Sequence, residues 1–196
     1  MNERLGQQIA FLVEADKLKS VTRRTPLVDS TRLENSAEHS WHLVLVVMVM
    51  REYGPQGIDW LRVVEMVAVH DIVEIDAGDV SAYDVDAFAA KAIREQAAAD
   101  RIFSLLPTDL RGHFRRLWDE FESLATPEAR FANAVDRLQP LIQNAHAGGG
   151  SWCGQTLLRA QILSRMAPIE SSLPDVWPHV LDIVESFCAA GVLRRD

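Results

Sequence analysis

The sequence is short of cysteine, of long apolar runs and of basic charge, and each shortage removes a class of protein. Its 196 residues contain two cysteines, Cys153 and Cys188. They form neither a CxxC pair nor a zinc-finger spacing, so the expectation is a reduced, cytoplasmic protein. The continuous apolar run Leu43 to Met50 falls far short of the roughly 20 residues that span a bilayer. It reads as a fully buried helix, with no membrane partner expected. The first residues, Met1-Asn2-Glu3-Arg4, lack the apolar core of a signal peptide. A formal charge of −8 and a pI near 5.2 speak against a broad nucleic-acid or anionic-membrane footprint. A phosphorylated substrate would then have to be held locally, by a metal and a few basic side chains. No repeat, low-complexity segment, linker or convincing strand ladder is visible. Gly148-Gly149-Gly150-Ser151 is no P-loop, because it follows a helical stretch and has no Lys after the glycines. It reads as a flexible helix stop.

What is present is helical periodicity. Apolar residues make up 48% of the chain, enough for one domain over residues 1–196 with its own core. The spacing predicts helices over Leu5 to Leu18, Ala37 to Tyr53 and from Asp59 to Ile75. Further helices follow over Asp86 to Leu105, Pro107 to Leu124, Thr126 to Ala147, Gln155 to Arg165 and Val176 to Ala190. Ser36, Asp59 and Thr126 are the expected N-caps, the last followed by Pro127 at the first helical position. A polar loop is expected from Thr25-Pro26 through Asn35, and another over Gly78 to Asp84. The result is an all-α, compact multi-helix fold of seven or eight helices.

Chemistry concentrates at His70-Asp71, adjacent residues late in the apolar stretch Val63 to Val73. An imidazole and a carboxylate are good ligands for a catalytic divalent metal, and a carboxylate placed there needs a partner. An isolated His-Asp pair is more often a helix-surface pair. His39, in Glu34-Asn35-Ser36-Ala37-Glu38-His39-Ser40, and Asp136, in Val135-Asp136-Arg137, turn it into a set of four from three helices. Two imidazoles and two carboxylates leave positions open on a metal for water and substrate. Glu74, one turn on, is a candidate for proton transfer, its alternative being a salt bridge. Asp79 could hold a sugar hydroxyl or simply end a helix, and Asp76 reads as structural. Of the basic cluster Lys17, Lys19, Arg23 and Arg24, Arg24 is the favoured phosphate contact; a solvated charge run is the alternative. His42 reads as a supporting residue, and Glu120 as a candidate support. His113, His146 and His179 read as ordinary histidines, and the five tryptophans mainly as core or interface.

The order His, His-Asp, Asp, each on its own helix, resembles the HD-domain metal-dependent phosphohydrolase superfamily. The segments Leu18-Lys19, Arg24-Thr25-Pro26-Leu27, Glu34 to Ser40, His70-Asp71-Ile72-Val73-Glu74 with Gly78-Asp79, Leu105-Leu106-Pro107 with Asp109-Leu110-Arg111, and Val135-Asp136-Arg137 recur in the order of its 5'-deoxynucleotidase-like branch. The resemblance covers roughly residues 10 to 145. It implies an all-α HD-type domain, a divalent metal (cobalt, manganese or magnesium), a homodimer, and release of phosphate from small nucleotides such as deoxynucleoside 5'-monophosphates. Carried over by motif, His39, His70, Asp71 and Asp136 would bind the metal, Glu74 and Asp79 would be catalytic, and Arg24 would contact phosphate. Thr25 stands where the branch often has Trp, so base and sugar preference stay open. Alternatives are an HD hydrolase of nucleoside triphosphates, cyclic nucleotides or alarmones, and a non-catalytic nucleotide-binding regulatory module.

Overall fold

The computed structural model describes residues 2–79 and 85–195, the side chains of 85–90 excepted. The expected loop at Gly78 to Asp84 therefore lies outside the described residues from Val80 onward. Among the described residues eight helices have ten residues or more. They are α1 (Glu3–Ala15), α2 (Ser36–Met50), α3 (Trp60–Val69), α5 (Val85–Phe103), α6 (Thr108–Ser123), α7 (Pro127–His146), α8 (Arg159–Ser172) and α9 (Trp177–Ala189). A four-residue helix, α4 (Glu74–Ala77), follows α3 closely.

Helix α7 is the axis of the fold and packs against α2, α3, α6 and α8. It is buried along most of its length, from Ala129 and Phe131 through Val135, Leu138 and Leu141. Its buried positions also include the polar Asn133, Asp136, Gln139, Gln143 and Asn144, which need partners in the interior. Thr126 caps it by accepting from Ala129 N, with Pro127 at the first position. Pro140 lies inside α7, where the missing N–H leaves the Asp136 carbonyl without its usual helical donor. Glu120, read from the sequence as a possible support of the site, instead accepts from Arg62 Nε at 2.8 Å and Thr126 Oγ1 at 2.6 Å. It ties α3, α6 and the α7 cap together.

Three expectations need correction. The polar loop after Thr25-Pro26 contains a two-stranded antiparallel ribbon, β1 (Thr22–Pro26) and β2 (Leu33–Asn35). Its pairs are Thr22 with Asn35 and Pro26 with Leu33, with a register irregularity between them. Successive strand residues point to opposite faces, and here Thr25 is buried, Arg23 mostly buried and Arg24 exposed. The N-cap of α2 is Asn35, not Ser36: Asn35 Oδ1 accepts from Glu38 N, and the Glu38 carboxylate accepts from Asn35 N. This is a capping box, and it frees Ser36 for another role. The run Leu43 to Met50 is not fully buried, since Leu43, Val46 and Val47 face the core while Leu45, Met48 and Val49 are exposed.

Helix α8 also differs, starting at Arg159 and running through Pro168 to Ser172. Its start is set by the C-terminal segment: Arg159 N donates to Arg194 O at 2.8 Å and Arg194 N to Leu157 O at 2.9 Å. No helix among the described residues is long and apolar enough to cross a membrane.

Candidate metal centre

Four side chains predicted from the sequence converge. His39 comes from α2, Asp136 from α7, and His70 and Asp71 from a 3₁₀ turn, His70–Val73, that interrupts the α3 path. His39 Nε2 lies 2.9 Å from Asp136 Oδ1 and 3.9 Å from Asp71 Oδ2. His70 Nε2 lies 3.0 Å from Asp71 Oδ1 and 3.7 Å from Asp136 Oδ1. His39, His70 and Asp136 each offer a ligand atom within 4.8 Å of the others, and all three are buried.

The hydrogen bonds on the far side of each ring decide what the near side can do. His70 Nδ1 is 3.0 Å from Val67 O. A carbonyl only accepts, so Nδ1 carries the proton and Nε2 presents a lone pair. That Nε2 is buried and has no hydrogen-bond partner among the described residues. His39 Nδ1 is 2.9 Å from Gln139 Oε1. The Gln139 amide is oriented by its other end, where Nε2 donates to Glu34 Oε1 at 2.9 Å and approaches His42 Nδ1 at 3.0 Å. His39 therefore also turns a lone pair on Nε2 toward the same point. Two Nε2 atoms and two carboxylates facing one another draw positive charge to their centre, either protons on the rings or a metal ion in their place. The donor set, two N and two O, suits a divalent metal.

The electrostatics carry the same message. Burial opposes charge on His70, yet the Asp71 and Asp136 carboxylates outweigh it and push the ring up to about 10. Asp71 is held well below the usual carboxylate range despite burial, by His70 first and then Arg23 and His39. Asp136 is lowered by Arg137 and the two rings, again against its burial. Glu74 behaves oppositely. It is 3% exposed, accepts from Ser36 Oγ at 2.6 Å, and burial plus repulsion from Asp71 raise it to about 8. These surroundings favour its protonated form.

The remaining expectations are placed less uniformly. Asp79 and Arg24 both line a cleft beside the centre, Arg24 at its exposed edge. The cleft holds about 670 Å³ of empty space, open mouth included. Its floor includes Asp136, and its walls include Thr25, Pro140, Trp152 and Met166. Asp76 is structural, as expected, paired with Arg101 at 2.5 Å. The glycine segment is more than a stop. A Cβ on Gly150 would lie 2.3 Å from Asn144 Oδ1, and that same oxygen accepts from Ser151 N. The turn thus brings Ser151 and Asn144 to the cleft wall.

Sequence reasoning missed Glu34 and Gln139 and ranked Arg23 below Arg24. Arg23 Nη1 donates to Asp71 Oδ2 at 3.0 Å, and its Nε lies 3.4 Å from Glu34 Oε2. One signal for Gln139 was available: it stands three residues after Asp136, on the same helix face, where a polar side chain in an apolar helix needs a partner. The direction of Arg23 had no such signal, because it depends on the ribbon's register.

The sequence model of the HD domain family matches residues 15–177. The 5'-deoxynucleotidases HDDC2 of Homo sapiens and Mus musculus are 29% and 30% identical to this chain over 136 residues, 69% of its length. The match spans 65% of the human protein, just under two thirds, and 67% of the mouse protein. The crystal structure of a predicted metal-dependent phosphohydrolase from Magnetospirillum magnetotacticum MS-1 aligns with a TM-score of 0.91 and 41% identity. That alignment covers 98% of this chain and 99% of the other. An HD-domain phosphohydrolase from Listeria innocua shares the fold, with a TM-score of 0.63 and 14% identity over 94% of this chain and 95% of that one.

Proposed function

The chain belongs to the HD domain family, and from that premise we propose that it is a metal-dependent phosphohydrolase releasing phosphate from small nucleotides, foremost (deoxy)nucleoside 5'-monophosphates. The observation that carries this reading is the convergence of two imidazole lone pairs and two carboxylates beside an arginine-lined cleft. His39, His70, Asp71 and Asp136 would hold the divalent ion, with manganese, cobalt and magnesium as the candidates. When bound, such an ion supplies positive charge for phosphoryl oxygens and makes water more acidic.

The chain's own groups divide the rest of the work. Ser36 occupies Glu74 Oε2, so the proton of the buried acid sits on Oε1. From there it is given to the leaving 5'-oxygen, whose departure as an alkoxide would otherwise be costly. Arg24, at the cleft edge, draws the phosphate in. Asp79, on the wall, accepts from a sugar hydroxyl. Thr25, buried at 8% exposure, leaves room where an aromatic residue would pack on the nucleoside, so base tolerance is broad and the preference for deoxyribose moderate.

A homodimer belongs to the same reading. Trp41, Leu45, Met48 and Val49 are exposed on α2 at positions that share one helix face, and Leu61 at the start of α3 is 68% exposed. A second copy covering this face would remove the apolar surface from water.

The deciding experiment is a screen of phosphorylated nucleosides with added Mn²⁺, Co²⁺ or Mg²⁺, reading the released anion. Orthophosphate from monophosphates supports the proposal. Pyrophosphate or triphosphate as product would move the activity to nucleoside triphosphates, and tight nucleotide binding without turnover under any metal would make the chain a regulatory module.

A further inference from the structure

Each metal-ligand carboxylate has two faces. The Oδ1 atoms of Asp71 and Asp136 point at the histidines, within 3.0 Å and 2.9 Å of an Nε2. Their Oδ2 atoms each meet an arginine: Arg23 Nη1 at 3.0 Å on Asp71 and Arg137 Nη1 at 2.7 Å on Asp136. Both arginines line the cleft. Both carboxylates also come within 3.9 Å of the same atom, His39 Nε2, so each guanidinium is anchored to a carboxylate beside the same ring.

We propose that Arg23 and Arg137 together form the phosphoryl clamp of this cleft, an inference that rests on the phosphohydrolase reading above. A guanidinium carries five N–H donors in a planar fork. Among the described contacts, each of these two spends a single hydrogen bond, through Nη1, on its carboxylate. The carboxylate fixes the plane of the fork, and the remaining N–H groups can meet phosphoryl oxygens without first being ordered. Arg23 is held further by Glu34, 3.4 Å from its Nε. Two like charges directed into one cleft favour an anion between them. A buried arginine is also expensive to desolvate, and Arg23 has a side-chain exposure of only 12%. A solvated arginine such as Arg24 attracts an anion less strongly, because water and salt screen it. The clamp moves no proton. It binds two phosphoryl oxygens from opposite sides and aims the ester at the centre formed by His39, His70, Asp71 and Asp136.

The rival account is that Arg23 and Arg137 only support the carboxylates. The probe that separates the two is inorganic orthophosphate, titrated calorimetrically into Mn²⁺-loaded protein, with Mn²⁺ affinity measured separately for every variant. Arg137→Gln is expected to weaken orthophosphate binding at least about tenfold, and Arg23→Lys, which keeps the charge but loses the fork, about tenfold. Arg24→Gln should weaken it by about threefold or less. Both arginines hold ligand carboxylates, so Mn²⁺ affinity is expected to change as well, and orthophosphate is titrated at Mn²⁺ concentrations that saturate each variant. Arg137 is partly exposed at 23%, so its variant carries the test even if Arg23→Lys fails to fold. Orthophosphate affinity that is unchanged in Arg137→Gln, or that falls only in step with Mn²⁺ affinity, overturns the clamp. So does a larger loss in Arg24→Gln, or a wild-type protein that binds no orthophosphate at millimolar concentration. Orthophosphate binding with the expected losses, in a protein that hydrolyses no nucleotide, would retain the clamp and remove the proposed activity instead.

Discussion

Gln139 holds His39 from behind through Oε1, and its amide is aimed by Glu34 and His42, which both meet its Nε2. Supports of this kind govern how well a ring serves a metal, typically by a factor of about 10–100 in affinity. Gln139→Ala should therefore weaken Mn²⁺ binding by about that factor while leaving the helical circular dichroism unchanged. Unaltered affinity would show that packing alone orients the ring. Asp71→Ala removes a ligand and should abolish both metal binding and turnover; undiminished phosphatase activity in the metal-free variant would refute the role. Glu74 gives a pH dependence of definite sign. Its folded pKa of about 8 stands above the ordinary glutamate value of 4.5, so the folded state keeps a proton that the unfolded chain loses. Stability present below about pH 4.5 is lost as pH rises toward 8, by at most about 1.4 kcal/mol per pH unit. The charges bearing on the group are Asp71 and Asp79, which raise it, Arg23, which lowers it, and nearby Lys91. His70 slopes the same way, so the measurement is the difference between native and Glu74→Gln melting curves in chelator-treated protein. That difference should shrink steadily from pH 8 to pH 5. The four side chains that converge were legible in the sequence because few residue types bind metals and their order was distinctive. The direction of Arg23 was not, because two adjacent arginines look alike until a strand turns one inward and the other to solvent.

At the level of elements, the sequence announced most helices through their periodicity, and missed where tertiary contacts override local signals. Asn35 and Ser36 are both good caps; what decides between them is that Ser36 Oγ has Glu74 to bind, a partner 38 residues away. The break at His70–Val73 carries no Gly or Pro that would reveal it. It matters nonetheless, because a 3₁₀ turn brings residues three apart onto one line, stacking Asp71 and Glu74. Helix α8 was expected to stop at Arg165, before Pro168, yet it continues to Ser172. That extension places Arg165 and Met166 within a helix, at the cleft wall. The turn after α7 offers a sharp test. Gly150 has φ +47°, and a Cβ there would meet Asn144 Oδ1 at 2.3 Å and Pro26 Cγ at 3.1 Å. Gly150→Ala should displace Asn144 and Ser151 from the cleft, costing about 1–3 kcal/mol of stability and raising KM for nucleotides more than it lowers kcat. A variant with native melting temperature and native KM would show that the turn adapts freely.

For the whole molecule, the exposed stripe of α2 predicts a mass near twice the 21.9 kDa of one chain by light scattering at micromolar concentration. Trp41→Glu, which alters a residue 65% exposed, should halve that mass without loss of helicity, whereas a wild-type protein already monomeric would exclude the dimer. The sequence could not place this face, since an apolar run of eight reads as core until its neighbours are seen to cover one side only. Pro140 has a different whole-molecule consequence. It stands in the middle of α7, one turn beyond Asp136 and on the cleft wall. An interior proline costs a helix roughly 3 kcal/mol, of which reduced freedom in the unfolded chain returns up to about 1. Helix α7 is thus weakened beside Asp136, in a domain whose total stability is expected to be only about 5–15 kcal/mol. Robustness has been given up at the spot where an unbonded carbonyl lets the backbone of Asp136 yield. Pro140→Ala should then melt several degrees higher and turn over more slowly, a trade between endurance and speed set by one ring in the middle of a helix.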